Sequence, residues 1–577
     1  MGDERITLTL PMTQQGLGVL ALALLIAVLT GVMFLILDGA ERKTDRDPLS
    51  RALQAFGWVY APIWLLILSG TLWALWLVFS GTESPIALEG YSSLGLGALI
   101  AALLGAPFVI WGTVLRHQTV TFQKEGHMTD RITAAVEQLG AEKVVRKIVE
   151  GETQETSEPN IEVRIGAILS LERIAQDSTR HDNGRDHVRV MEILCAYIRE
   201  NSNARKPVDF PLADWQPLKD DASEEERAAY LELRKARFKA EGGPLARQWA
   251  ESLPKPRADV QLALTVIGRR SADQRRVEAA WPDAPTSATA WPFDADFKRL
   301  PDDPGEDPLG PETLEAFKAG LDAWKSTLRA YRGYRLDLRG ANLQGADMAA
   351  KQPDGSDAVF SGARLDGTRM EGADLSQARM EGADLTLARM EGADLSHARM
   401  EGAGLRGARM EGASLRGARM EGADLEWARM EGAGLEWARM EGAVLLLARM
   451  EGALLGMARM EGADLSGARM EGADLKRARM EGAVLWGARM DSSTSLSAAT
   501  LRGAALRWVD YSSVPLSEEQ VRSCFGDASV IRPEGIAKPD HWPDWELPDF
   551  EDHDFDTEWR NWQDNPDSYT PPPNPDP

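Results

Sequence analysis

The rhythm of hydrophobic and polar positions changes twice along this chain. Near the start, three apolar runs, Gly16 to Leu37, Val59 to Phe79 and Leu94 to Leu115, contain no charged residue. A helix needs about 20 such residues to cross a hydrocarbon layer of about 30 Å. The pattern therefore predicts three transmembrane helices, at about 16–37, 59–79 and 94–115. Beyond them the rhythm becomes helical. Ile132–Gly140, Ile161–Ser178, Val190–Asn201 and Arg257–Arg270 follow the amphipathic helix period, Ser223–Glu241 reads as a charged helix, and Pro311–Gly333 reads as a last helix with Pro311 in its first turn. From Leu336 to Ser513 the period is five: small, polar, large apolar, free, free. Two variants, ADLxx and ARMEG, alternate, so the text repeats every ten residues.

Neither a helix nor a plain strand can bury a five-residue period. On a helix the large residues would drift by about 140° from block to block, and on a strand an odd period switches faces. A chain that turns a corner after every block buries all of them, with successive coils pairing as parallel strands do. On these residues the chain resembles the pentapeptide-repeat proteins, whose A(D/N)LXX pattern folds as a right-handed quadrilateral β-helix. The resemblance implies four blocks per 20-residue coil, with the central Leu or Met and the preceding Ala inside and the other three positions outside. Eight to nine such coils at about 4.8 Å each would make a rod roughly 40 Å long. Two register breaks are expected. AAKQPDGSDA, between Met348 and Phe360, adds about two residues, and MDSSTSL, after Met490, adds one.

VRIGAILSLERIA also resembles the second helix of a HEAT- or armadillo-type repeat. Together with EILCAYIREN, ADVQLALTVIGRR, LDLRGANLQGADM and LSEEQVRSCFGDASVIRPEGIAKPDHW, it resembles the layout of bacterial membrane-anchored pentapeptide-repeat proteins. The expected architecture is multidomain. A membrane anchor with three transmembrane α-helices occupies 1–115, and an α-helical cytoplasmic domain with a Pro/Asp-rich loop at 281–311 occupies 116–333. A right-handed quadrilateral parallel β-helix, the pentapeptide-repeat solenoid, spans 334–514. A C-terminal cap covers 515–540, and an acidic, aromatic and Pro-rich tail covers 541–577, which either wraps back over the rod or serves as bait for a basic partner, its final proline run expected to be disordered.

Charge refines this picture. Arg42, Lys43, Arg46 and Arg51 lie between the first two runs, Gly81 to Ser93 has no Lys or Arg, and Arg116, Lys124 and Arg131 follow the third run. The positive-inside rule then places the amino terminus outside and everything after residue 116 in the cytoplasm. For the family that the chain resembles, this is a multi-pass protein of the bacterial inner membrane. A net charge of −24 opposes direct nucleic-acid binding. Cys195 and Cys524 form no CxxC pair, and Cys195 reads as a core residue. The His181–His187 stretch, with its Asn-Gly, reads as a polar turn. No paired nucleophile and base, phosphate loop or zinc spacing is present, so neither catalysis nor a metal or cofactor is expected.

Stacking at 20 residues would align Arg369 through Arg489 in one column and Arg379 through Arg479 in another. Each arginine has a Glu two residues on, which reads as a solvated, self-neutralising face. The methionine column from Met370 to Met490 reads as core. Some pentapeptide-repeat proteins mimic DNA to shield a topoisomerase, but this repeat block is close to neutral. The informative positions are those where copying fails: Trp427, Val444, Leu446 and Leu447 on one side, and Trp437, Leu454 and Met457 on the opposite side. They are outward positions in the fold that the resemblance implies, and exposed apolar patches mark contacts. The expectation is a non-enzymatic, membrane-anchored scaffold whose rod binds an unidentified protein, a second copy or its own helical domain through this belt. The alternative is a regulatory, DNA-mimic-like decoy that binds an enzyme or nucleic-acid-associated protein through acidic faces.

Overall fold

The computed structural model describes residues 129–149, 152–211, 245–301, 310–349, 355–549 and 553–574, with a few more between 223 and 233. The three expected membrane spans lie outside the described residues. Among the described residues no helix is long and apolar enough to cross a membrane. The chain divides into two compact units, Met1–Asp130 and Arg131–Pro577, and nearly all of the described residues belong to the second.

A helical stretch over 129–139 precedes a two-stranded antiparallel hairpin, β1 (Glu142–Val149) and β2 (Glu152–Pro159). The hydrophobic period does not announce this hairpin, because its side chains from Glu142 to Val144 and from Gln154 to Ser157 are exposed and polar residues dominate it. Then come α1 (Ile161–His181), α2 (His187–Ser202), α3 (Leu245–Glu251), α4 (Ala258–Gly268), α5 (Ala272–Ala280) and α6 (Pro311–Ala330). The three- and four-residue spacing acts as expected in α1 and α2, where Ile168, Leu171 and Ile174 pack with Met191, Leu194 and Ile198 in a common core. Short, polar α5 is held by a capping box, Ser271 with Gln274, whose Ser-x-x-Gln signature stands in the sequence. His187 is buried rather than part of the polar turn. Its Nε2 lies 2.9 Å from Glu278 Oε1, which ties α2 to α5.

These helices form one compact unit with the repeats. They close the first coil, whose backbone would otherwise be an open sheet edge. Arg199 pairs with Asp337 at 2.6 Å, the Gln261 side chain bonds both backbone groups of Asp347, and Val359 N donates to Gly268 O at 2.8 Å.

From Leu336 on, parallel bridges join residues 20 apart, such as Asp384 with Gly404 and Arg389 with Arg409. Four blocks make each coil. The central Leu and Met and the preceding Ala are buried in every regular block. Burying one Leu or Met contributes roughly 2 kcal/mol at most. One register break differs from expectation. Asp337, Asn342 and Asp347 pair with Arg364, Arg369 and Asp374, 27 residues on, so the first coil takes in seven extra residues instead of about two. Backbone hydrogen bonding decides this: counting blocks from Met348 skips a corner that is not there. The second break does add one residue, since Asp474 pairs with Ser495 and Arg479 with Thr500.

The ladder also runs past residue 514. Ala505 pairs with Phe525, 20 residues on, and Asp510 with Ile531, so α7 (Glu518–Arg522) takes the place of a corner within the last turn of the solenoid without lengthening it. Gln520 Nε2 donates to the carbonyls of Leu496 and Ala499, satisfying the edge of the coil beneath. The tail folds back. In α8 (Phe555–Asp564), Phe555, Trp559 and Trp562 are buried against Ala505, Phe525 and Leu547. The proline run is held as far as Pro572, a correction to the expected disorder. Pro572 is buried and its carbonyl accepts from Trp545 Nε1 at 3.0 Å, because the exit coil leaves apolar surface that only the tail covers.

Candidate partner-binding faces

The ten-residue period has a tertiary meaning. Successive blocks occupy successive sides of a four-sided coil, so the ARMEG blocks fill two opposite sides and the ADLxx blocks the other two. On the ARMEG sides the chain lies against itself. Helix α6 runs along one of them, and its buried Leu328, Trp324, Leu321, Phe317 and Leu314 recur every three or four residues. That spacing advances about 5.3 Å along a helix, close to the roughly 4.8 Å between coils. Each coil thus meets about one large side chain. A β-carbon built at Gly402 would lie 2.8 Å from Trp324, and one at Gly422 would lie 2.6 Å from Leu321. On the opposite side α3 approaches as closely: a β-carbon at Gly392 would lie 2.6 Å from the Ala246 carbonyl. Glycine holds this corner because backbone or core side chains occupy the space above it.

The glutamates of these sides are buried rather than solvated, which overturns the expected open ladder. From Glu371 to Glu471 each sits between an arginine of its own coil and one from the next. Glu421 Oε1, for example, lies 3.8 Å from Arg419 and 3.1 Å from Arg439, with Arg299 from outside the repeats at 3.3 Å. Burial, followed by the glutamates one coil above and below, pushes the Glu391 carboxyl up to about 7. The same causes push Glu401 and Glu431 to about 7. The burial arises because helices and loops cover the fourth position of the block, which the five-residue pattern alone leaves outside.

The ADLxx sides are open between residues 374 and 477. Here the Asp before the central Leu caps its own corner, as Asp464 does by accepting from Ser466 N at 3.0 Å. The last residue of the block stands at positive φ, and at many corners it is not glycine. All seven residues expected to bind a partner lie on these sides. Asp424 bridges Val444, and Trp427 N donates to Leu446 O at 2.9 Å, so Trp427, Val444, Leu446 and Leu447 occupy adjacent coils of one open face. Gly434 bridges Leu454, and Trp437 N donates to Gly456 O at 3.1 Å, which puts Trp437, Leu454 and Met457 together on the opposite face. Trp427, Trp437 and Leu447 are 49%, 54% and 47% exposed, while the other four are half-buried.

Two stabilising devices are given up here. Val444 and Leu454 cannot make the aspartate's corner bond, worth about 1 kcal/mol. Trp427, Trp437, Leu447 and Met457 take φ of 58°, 63°, 57° and 58°, a region that costs a side chain about 1 kcal/mol. Sequence reasoning missed Arg406, whose guanidinium stacks 4.7 Å over the Trp427 ring while pairing with Glu426 at 2.8 Å. It also missed Leu387, 65% exposed in the corner column of Trp427. Following that column every 20 residues would have found Leu387.

Cys195 and Cys524 are buried, and burial pushes their thiols up to about 11 and about 12.

A buried stack of five-residue corners, 20 residues per turn and paired as parallel strands, defines a four-sided β-helix. The family model for pentapeptide repeats matches in eight copies, over residues 356–392, 384–422, 393–432, 408–446, 443–482 and 458–494. Residues 356–494 of the chain are therefore pentapeptide repeats. Among solved structures it is similar to HetL, a pentapeptide repeat protein involved in heterocyst differentiation regulation from the cyanobacterium Nostoc sp. strain PCC 7120. That likeness has 28% identity, covers 35% of this chain and 85% of HetL, and has a TM-score of 0.29. It is also similar to a pentapeptide repeat protein from the Arabidopsis thaliana thylakoid lumen, with 26% identity, 23% and 84% coverage and a TM-score of 0.15. QnrB1, a plasmid-mediated fluoroquinolone resistance protein, has 15% identity, 35% and 89% coverage and a TM-score of 0.18. No curated protein matches.

Proposed function

We propose that this chain is a non-enzymatic, membrane-anchored scaffold whose two open faces bind a protein partner. The observation that carries the reading is the apolar belt itself. At Trp427, Leu447, Trp437 and Met457 the solenoid forgoes glycine, and at Val444 and Leu454 it forgoes the corner-capping aspartate, leaving large apolar side chains on otherwise polar faces. Surface that costs stability is retained where a contact uses it. The three apolar runs before residue 116 and their charge asymmetry support anchoring to the bacterial inner membrane with the solenoid in the cytoplasm.

The test is proximity labelling in the native host with wild-type chain and a Trp427→Ala plus Trp437→Ala variant. Loss of a defined set of labelled proteins in the variant, at unchanged abundance and membrane location, supports the scaffold. An unchanged set sinks it. The decoy reading draws on the exposed aspartates of the open faces, among them Asp374 and Asp394, and predicts binding that collapses with salt.

A further inference from the structure

The chain itself contains one example of what covers an open face. On the face that bears Trp427, the column continues Val444, Asp464, Val484, Ala505. The outward apolar pattern of Val444 and Leu446 recurs two coils on, about 10 Å away, as Val484 and Trp486. There it is covered. The Phe555 ring meets Trp486 edge-on at 5.6 Å, and Val484 and Trp486 pack against the buried cluster of Leu547, Phe555 and Trp559. A guanidinium completes the contact. Arg507 stacks 4.0 Å from the Trp508 ring and 5.1 Å from that of Phe555, and its other side takes the carboxylate of Asp549 from the tail. Glu546 of the tail accepts from Trp508 Nε1 at 2.6 Å. The belt presents the same parts without the cover: indole, guanidinium and aliphatic side chains, in Trp427, Arg406, Leu446 and Leu447, on the same face.

We propose that this belt receives an acidic, aromatic, helix-forming segment of a partner protein, chemically like the tail that the chain lays on the same face two coils further on. The inference rests on the scaffold reading and names the partner's chemistry. The aromatic side chains of such a segment fill the step beside Trp427 and over Leu446 and Leu447. Its carboxylates reach Arg406, which is 46% exposed and holds Glu426 on one side only. The opposite belt differs, since Lys476 and Arg477 follow Met457 one coil on and, among the described residues, the guanidinium stacking seen on Trp427 has no counterpart on Trp437.

The test uses the full chain in lipid nanodiscs and a fluorescein-labelled synthetic peptide spanning residues 544–566, followed by fluorescence anisotropy. Saturable binding is expected. It should weaken at least roughly tenfold in a Trp427→Ala plus Leu447→Ala variant, change less than about twofold in Trp437→Ala, and weaken similarly for a peptide whose Phe555, Trp559 and Trp562 are replaced by serine. All variants should melt as the wild type does, since the altered side chains are exposed. Absence of binding, equal binding by the serine peptide, or binding untouched at Trp427 and Leu447 overturns the proposal. The last result would mean that the peptide exchanges with the chain's own tail. If proximity labelling still depends on Trp427 and Trp437 while the peptide fails, the scaffold stands and only the partner's chemistry is wrong.

Discussion

The ARMEG and ADLxx sides of the solenoid use the same five-residue corner and the same core, yet they tolerate different things. On the ARMEG sides Arg, Glu and Gly recur with almost no variation, because Arg and Glu neutralise one another out of water and Gly admits a helix above it. On the ADLxx sides the last corner residue is Gln, Leu, His, Gly, Trp, Met or Arg between residues 377 and 477. Monotony marks surface the protein spends on itself, and variation marks surface it leaves for others.

The largest expected difference between the two comes from deleting a carboxylate. Glu421→Ala strands Arg419, Arg439 and Arg299 beneath α6 and should cost about 3 kcal/mol, whereas Glu426→Ala breaks an exposed pair with Arg406 and should cost under about 1 kcal/mol. Urea midpoints of the two variants measure this, and equal shifts would mean that the ladder is not buried.

Next comes a methyl group. Gly392→Ala drives a β-carbon into the Ala246 carbonyl at positive φ and should cost about 2 kcal/mol or more, while Gly367→Ala, with open space around it, should cost only about 1 kcal/mol for its backbone conformation. Limited proteolysis should then release the segment around α3 in the first variant alone.

Acidity separates the faces too. The folded-state carboxyls of Glu391, Glu401 and Glu431, near 7, stand above the unfolded value of 4.5. Between those values the folded state holds more protons than the unfolded one. The ladder's contribution is therefore full below about 4.5 and declines as pH rises through about 7. Melting at pH 5.5 and pH 8 should show this decline in the wild type and a smaller one in a Glu391→Gln, Glu401→Gln, Glu431→Gln variant. A slope of opposite sign in the wild type would show that the arginines, not burial, dominate the ladder.

The smallest effect is a gain. Trp427→Gly relieves the positive φ and should raise stability by up to about 1 kcal/mol while abolishing partner labelling. A variant that lost stability would place Trp427 in the fold rather than in a contact.

Much of this fold could be read from the residues. The buried Leu, Met and Ala columns follow from a period that only a cornered coil can bury, and α1 and α2 follow from three- and four-residue spacing. The insertion after Met348 was misjudged because five-residue arithmetic fits either number of corners there, and only the pairing of Asp337 with Arg364 decides. The tail's composition left two courses open, wrapping back over the rod or baiting a basic partner, and only the coil it covers decides for the first, because its tryptophans acquire a periodicity only there.

For the candidate site, position in the block was enough to choose Trp427, Trp437 and their neighbours and to place them on opposite faces. It could not show that Val484 and Trp486, identical in logic, are covered. Nor could it show that the glutamates beside the arginines are out of water, or that alternate sides are closed. The block period sets which residues point in and which point out, because that depends on backbone geometry repeated locally. Which outward residues meet solvent was decided by α3, α6 and α8, whose docking joins residues far apart in the chain.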